Sequence, residues 1–282
     1  MAKGKAMKIR IVSDSSSDLY EYEGVDYVSV PLKILTDNKE YVDNKDLDIP
    51  EMVNDLKAYK GKSGTACPGQ GEWLEAFGDA DWVFGITITS KLSGSYNAAR
   101  LAKEEYIEEH PDRKAYIVDS LSTGPEMILI IEKMKELIEA GMEFEEICEA
   151  LEEYKKHTCL IFCLESLNNL ANNGRVSHAV AKIAGVLGIR LVGIADEGVL
   201  NPQAKCRGEK GALNEIMKEL KQFGCCGKKI IINHCLNESA ALKVKAMIEA
   251  EYPTAQITVG TNAGLCSFYA EKGGVLVGFE TN

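Results

Sequence analysis

The sequence is poor in several things. Aromatic residues make up 7% of its 282 positions, histidine occurs four times, and Lys+Arg (32) fall short of Asp+Glu (43). The formal charge of -11 argues against nucleic acid as a main partner, because phosphate binding needs a net basic face. No apolar run reaches the ~18 to 20 residues needed to span a bilayer. The basic opening "MAKGKAMKIR" leads into no apolar h-region, so a secretory signal is not expected and the cytoplasm is the expected location. Residues 1–7 are expected to be a disordered lead-in to the first strand. No Gly-x-Ser-x-Gly elbow occurs, and "GKSG" lacks the glycine spacing of a phosphate loop. Nine cysteines are present, but they are scattered and odd in number, and none has a Cys-x-x-Cys spacing. A disulfide framework is therefore excluded, and the thiols are expected to act as small buried hydrophobes. No metal or cofactor site is expected.

What is present reads as an α/β protein. The strand-like segments "KIRIVSD", "VDYVSVPLKI", "DWVFGITIT" and "KAYIVDS" alternate with helix-like ones such as "IPEMVNDLKAYKG" and "SGSYNAARLAKEEYIEEH". In "GPEMILIIEKMKELIEAG" the apolar positions 127, 128, 130, 131, 134, 137 and 138 form a helical stripe opened by Pro125 and closed by Gly141. Such alternation implies an N-terminal α/β/α domain with a mostly parallel sheet. Beyond "FEEICEALEEYKKH" the pattern changes. The apolar "TCLIFCL" is followed by a helix stop at Asn173-Gly174 and by two strands joined at Asp196-Glu197-Gly198, a hairpin-type turn. Helices near 209–222 and 238–250 then alternate with "KKIIINH", "AQITVG" and "GGVLVGF". This predicts a C-terminal α+β domain with a mixed sheet. The boundary is placed near residue 157, giving domains 8–157 and 158–282.

In an open α/β sheet, ligands bind beyond the carboxyl ends of the strands. Four loops there are rich in hydroxyls: "SDSSSD" (Ser13 to Asp18), "SGTACPG" (Ser63 to Gly69, read as a loop between two helices), "TSKLSGS" and "VDSLSTGP". Each alone would serve as a helix cap. Together they offer hydroxyl donors and helix N-terminal N–H groups, which suit a carboxylate or phosphate oxygen. Nucleophilic catalysis fits less well, because it needs a base beside the hydroxyl. Among the histidines, only His234 follows an apolar strand; His110 and His157 end charged helices, and His178 begins one.

In order along the chain, "VSDSSSDL", "TACPGQGEW", "SKLSGSYNAA", "YIVDSLSTG", "LNNLANNGRVS" and "AGVLGIRLVGIADEGVL" resemble the DegV family of bacterial fatty-acid-binding proteins from about Lys8 to Phe279. The resemblance implies two α/β domains with one long-chain fatty acid in a tunnel between them. It implies a carboxylate held by Thr65, Ser93 and Gly94. Ser63, Asp14 and Ser15 of the hydroxyl-rich loops, together with Asn262, are further candidates around the head group. The resemblance implies presentation of that carboxylate to a fatty-acid kinase, the acyl phosphate feeding phospholipid synthesis, with no cofactor and no catalysis by the binding protein itself. Arg207 and Arg175 are the residues expected to meet the partner, and peripheral membrane contact is left open. The chain departs from the family pattern at Asn262, where many members carry His, at Ala66, where the usual residue is Ser, and at Glu209 and Gly211, often Lys or Arg. Two other readings stay open on the residues alone: a small phosphotransferase or hydrolase using the "DSSSD" loop, and a binder of another amphipathic lipid.

Overall fold

Short β-branched runs and amphipathic stripes sort the chain into two main sheets with helices packed around them. The computed structural model describes residues 7–184 and 188–282; residues 1–6, most of the expected lead-in, and 185–187 lie outside the described residues. The chain begins with β1 (Ile9–Asp14), β2 (Asp26–Val30), β3 (Lys33–Thr36) and β4 (Glu40–Val42). In "VDYVSVPLKI" Pro31, which signals an edge or a strand end, separates β2 from β3, and the two go to different sheets. Proline cannot donate to a ladder, and here it marks the crossing. Helix α1 (Ile49–Ala58) starts on an Asp48 side chain that accepts from the Glu51 N–H at 2.8 Å, with Pro50 in its first turn.

Next come β5 (Ser63–Ala66), α2 (Gln70–Phe77), β6 (Trp82–Thr87), α3 (Ser95–Glu109), β7 (Lys114–Asp119), α4 (Pro125–Glu139) and α5 (Phe144–Tyr154). Strands β2-β1-β6-β7 form a four-stranded, all-parallel sheet, as expected of βαβ units. The small sheet β4-β3-β5 stands beside it. The segment read as a loop at "SGTA" is therefore a strand. Thr65 faces Ile34 and Ala66 faces Lys33 in antiparallel register.

The remainder comprises β8 (Thr158–Leu164), α6 (Asn168–Asn172), α7 (His178–Ala184), β9 (Ile189–Asp196), β10 (Val199–Arg207), α8 (Gly208–Gln222), β11 (Cys225–His234), α9 (Glu238–Glu251), β12 (Gln256–Thr261), α10 (Gly264–Ala270) and β13 (Val275–Thr281). Its six-stranded sheet runs β10-β9-β8-β13-β11-β12, antiparallel except for the β11/β12 pair. Helices α8 and α9 cover one face through Ile216, Leu220, Val244 and Ile248. The other face turns toward the first sheet.

Helix α4 lies between the two sheets, and Met127 through Ile131 are all buried. It contacts β1 and β6 on one side and β8, β11 and β13 on the other. A Cβ on Gly278 of β13 would come within 2.6 Å of the Pro125 carbonyl carbon, so only glycine permits this approach. Among the described residues, no helix is long and apolar enough to cross a membrane. Cys159, Cys163, Cys206, Cys225, Cys235 and Cys266 are buried, Cys148 and Cys226 are half-buried, and Cys67 is exposed.

Candidate functional site

The hydroxyl-rich loops are stitched together by their own side chains. Asp14, at the end of β1, is fully buried and accepts from the Ile88 N–H at 3.0 Å, the Ser95 hydroxyl at 2.6 Å and the Ser16 hydroxyl. Burial pushes its carboxyl up to about 6 from 3.8, and these donors offset part of the rise. Ser15 donates to Asp43 at 2.8 Å and accepts from the Leu32 N–H at 3.0 Å. Thr89 donates to the Gly198 carbonyl at 3.0 Å, tying the loop before α3 to the β9–β10 hairpin. Thr123 donates to the Ser16 carbonyl at 3.1 Å. Together these bonds make the loop cluster a rigid support.

Beside that support lies a cavity of about 670 Å³, its open mouth included. Its wall is overwhelmingly apolar: Leu160, Phe162 and Leu164 from β8, Leu276 from β13, Leu265 and Ala270 from α10, with Leu32, Ile88, Leu170 and Leu200. Phe162 and Leu276 face each other across the β8/β13 ladder, which places both on one side of the sheet. Most of these residues are buried, whereas Leu200 and, elsewhere in the wall, Thr65, Leu92, Ser93, Thr123, Arg175 and Tyr269 are half-buried. The hydroxyls and the guanidinium of the wall all belong to this half-buried set. Thr65 Oγ1 and Tyr269 Oη share a hydrogen bond of 2.8 Å. The Arg175 guanidinium sits 5.8 Å from the Tyr269 ring centroid and donates to the carbonyls of Leu92 at 3.2 Å and Asn173 at 2.6 Å. Ser93 Oγ accepts from the Ser95 N–H at 3.2 Å, which leaves its own proton for another acceptor. Cys266 also lines the cavity, and burial together with nearby Asp18 holds its thiol protonated.

The residues singled out in the sequence are thus divided. Thr65 and Ser93 line the cavity. Gly94, the residue before α3, is exposed beside them; a Cβ there would stand 3.2 Å from Cys67 Sγ, a tight fit that glycine relieves. Ser63, Asp14, Ser15 and Asn262 do not line it. Asp14 and Ser15 are held inside the loop support by the bonds just described, and the Ser63 carbonyl accepts from Asn173 Nδ2 at 3.3 Å. Asn262 is buried between β12 and α10. Its N–H donates to the His234 carbonyl at 3.0 Å and its carbonyl accepts from Ser267 at 3.1 Å, while its side-chain amide has no partner among the described residues.

Arg175, expected to meet a partner, lines the half-buried end of the cavity, where the turn after α6 brings it onto the Leu92 carbonyl. Arg207 is exposed at the end of β10, away from the cavity wall. Its neighbour Glu209 pairs with Lys243 and, at 3.6 Å, with Arg190. Tyr269 and Asp43 lie outside every motif read in the sequence, whereas Thr123 lies in "VDSLSTGP" without having been singled out. Tyr269 reaches the site across the 204-residue separation closed by the Thr65–Tyr269 bond.

The architecture is that of a two-sheet α/β protein whose apolar cavity has one polar, half-buried end. A family model described as "Uncharacterised protein, DegV family" matches residues 8–282. The chain belongs to the DegV family. A DegV domain-containing protein of Streptococcus pneumoniae is 40% identical over 279 residues, covering 97% of this chain and 99% of its own. Among solved structures, a DegV family protein from Eubacterium eligens loaded with heptadecanoic acid is 46% identical, covers 97% of this chain and all (100%) of its own, and superposes with a TM-score of 0.95. The Fatty Acid Kinase (Fak) B3 protein of Streptococcus pneumoniae, loaded with linoleic acid, is 39% identical with a TM-score of 0.96, covering 98% and 100% of the two chains.

Proposed function

We propose that the protein binds one long-chain fatty acid and presents its carboxylate to a fatty-acid kinase in the cytoplasm, without catalysis of its own. The observation that carries the reading is the polarity of the cavity: apolar and buried over most of its wall, polar and half-buried at one end. Burying about 15 methylenes at ~0.8 kcal/mol each yields up to roughly 12 kcal/mol before the costs of association are subtracted. That gain depends on chain length and is indifferent to the head group. The polar end then has to hold a carboxylate where another protein can reach it.

Thr65 and Ser93 would donate to the carboxylate, helped by backbone N–H groups at the start of α3. Arg175 would add charge. Its guanidinium is partly committed to two carbonyls, so it acts as a positioned counter-ion and not as a bidentate clamp. Moderate grip suits a group that must be phosphorylated and released. The kinase assignment is supported by the Streptococcus pneumoniae Fak B3 protein. Domains 8–157 and 158–282 are the units between which the acyl chain would lie, since the wall draws on both.

Native mass spectrometry of the purified protein, before and after incubation with oleic acid, tests this reading. The expected result is a one-to-one adduct, with uptake reduced about tenfold in Thr65→Ala and in Ser93→Ala, the scale of one hydrogen bond to a charged group. Wild-type protein that neither carries nor takes up fatty acid would overturn it.

A further inference from the structure

We propose that Tyr269 is a positioning residue of the head-group site: its hydroxyl orients that of Thr65, so that one O–H proton of the pair is aimed at the ligand and an ionised acid is preferred to its neutral ester. The inference rests on the fatty-acid reading above and goes further, by assigning head-group selectivity to a residue outside the loop motifs.

Two hydroxyls 2.8 Å apart carry two protons and use one between them. The other proton is left for a third oxygen. A phenol is the better donor of the two, so the favoured arrangement has Tyr269 donating to Thr65, and Thr65 turning its own proton into the cavity that both residues line. Burial raises the Tyr269 pKa further, so the phenol keeps its proton at neutral pH. Without this partner the Thr65 hydroxyl is a free rotor, and orienting it would fall to the ligand.

Tyr269 is itself held in place. Its ring meets Phe268 edge-on at 4.8 Å, and Arg175 lies over it. The helix that carries it, α10, is fixed at its N-terminus from the other half of the chain. Asp43 accepts from the Gly264 and Leu265 N–H groups at 2.7 and 2.8 Å, and Asp18 accepts from Ala263 at 2.7 Å. The polar end of the cavity is therefore built across the two halves: Thr65 from the small sheet, Tyr269 from α10.

The test compares binding of oleic acid and methyl oleate by the full chain, wild type against Tyr269→Phe, Thr65→Val, Thr65→Ser and the double variant Tyr269→Phe/Thr65→Val. Phenylalanine keeps the ring and its packing, and unfolding temperatures confirm that each variant is folded. Tyr269→Phe is expected to weaken oleate about five- to tenfold and leave the ester unchanged. In the Thr65→Val background the same change is expected to cost less than about twofold, because the hydroxyl it acts through is gone. Thr65→Ser, which restores a hydroxyl, is expected to keep the preference for the acid. Equal oleate binding by wild type and Tyr269→Phe overturns the inference, as does equal loss of acid and ester, or a full effect of Tyr269→Phe without Thr65. If wild type binds neither compound, the fatty-acid reading itself fails, and this inference with it.

Discussion

Glu126 opens α4 with its carboxyl buried between the two sheets and accepting from the Thr158 hydroxyl at 2.7 Å. Burial pushes it from 4.5 up to about 7, and the hydroxyls of Ser122 and Thr158 offset only part of that rise. The native state therefore holds a proton that the unfolded chain has released. Its contribution to stability is complete below 4.5 and is lost as pH rises through about 7. Glutamine keeps the acceptor and removes the titration. Glu126→Gln is expected to match wild type near pH 4 in urea unfolding, and to exceed it near pH 8 by on the order of 1 to 3 kcal/mol. Equal stability at both pH values would contradict this. Asp14 and Asp18 shift the same way, to about 6 and about 7, so the variant should flatten the pH dependence without abolishing it.

Helix α10 spans seven residues, too few to be stable alone. Asp43 holds its first N–H groups and also accepts from Ser15 at 2.8 Å and Tyr20 at 2.6 Å. Asp43→Ala leaves these buried donors without a partner and is expected to destabilise the protein by about 2 to 4 kcal/mol. It should also weaken oleate uptake, because Leu265, Cys266, Tyr269 and Ala270 reach the cavity from this helix. Unchanged uptake in a folded Asp43→Ala variant would show that the cavity wall does not depend on the anchor. At this scale the sequence was informative where an element carries its own pattern. The apolar stripe of α4 and the Asp196-Glu197-Gly198 turn were both legible in that way, and the structure shows a helix and an antiparallel hairpin there. It was silent where the partner supplies the order. "SGTA" has no apolar alternation and becomes β5 only because β3 pairs with it. Thr65 and Ser93 could be picked out from their motifs. Tyr269 could not, and Arg175 could be found but not placed, because each reaches the cavity through a long-range contact.

In the whole molecule, the parallel sheet and the mixed sheet meet across α4 and close over one apolar space. Bonds between the halves surround it: Asn233 to Asp18 at 2.8 Å, Thr89 to the Gly198 carbonyl at 3.0 Å, and the Thr65–Tyr269 pair. A ligand that fills the space should tighten the halves against each other and raise the unfolding temperature. The most direct measurement is a crystal structure of the protein with a fatty acid brominated at its methyl end, located by anomalous scattering. The expected result is a bromine signal inside the apolar wall formed by β8, β13 and α10, with carboxylate density within hydrogen-bond distance of Thr65 and Ser93. A bromine outside that wall, or a carboxylate buried deep with the methyl end at Thr65 and Ser93, would contradict it.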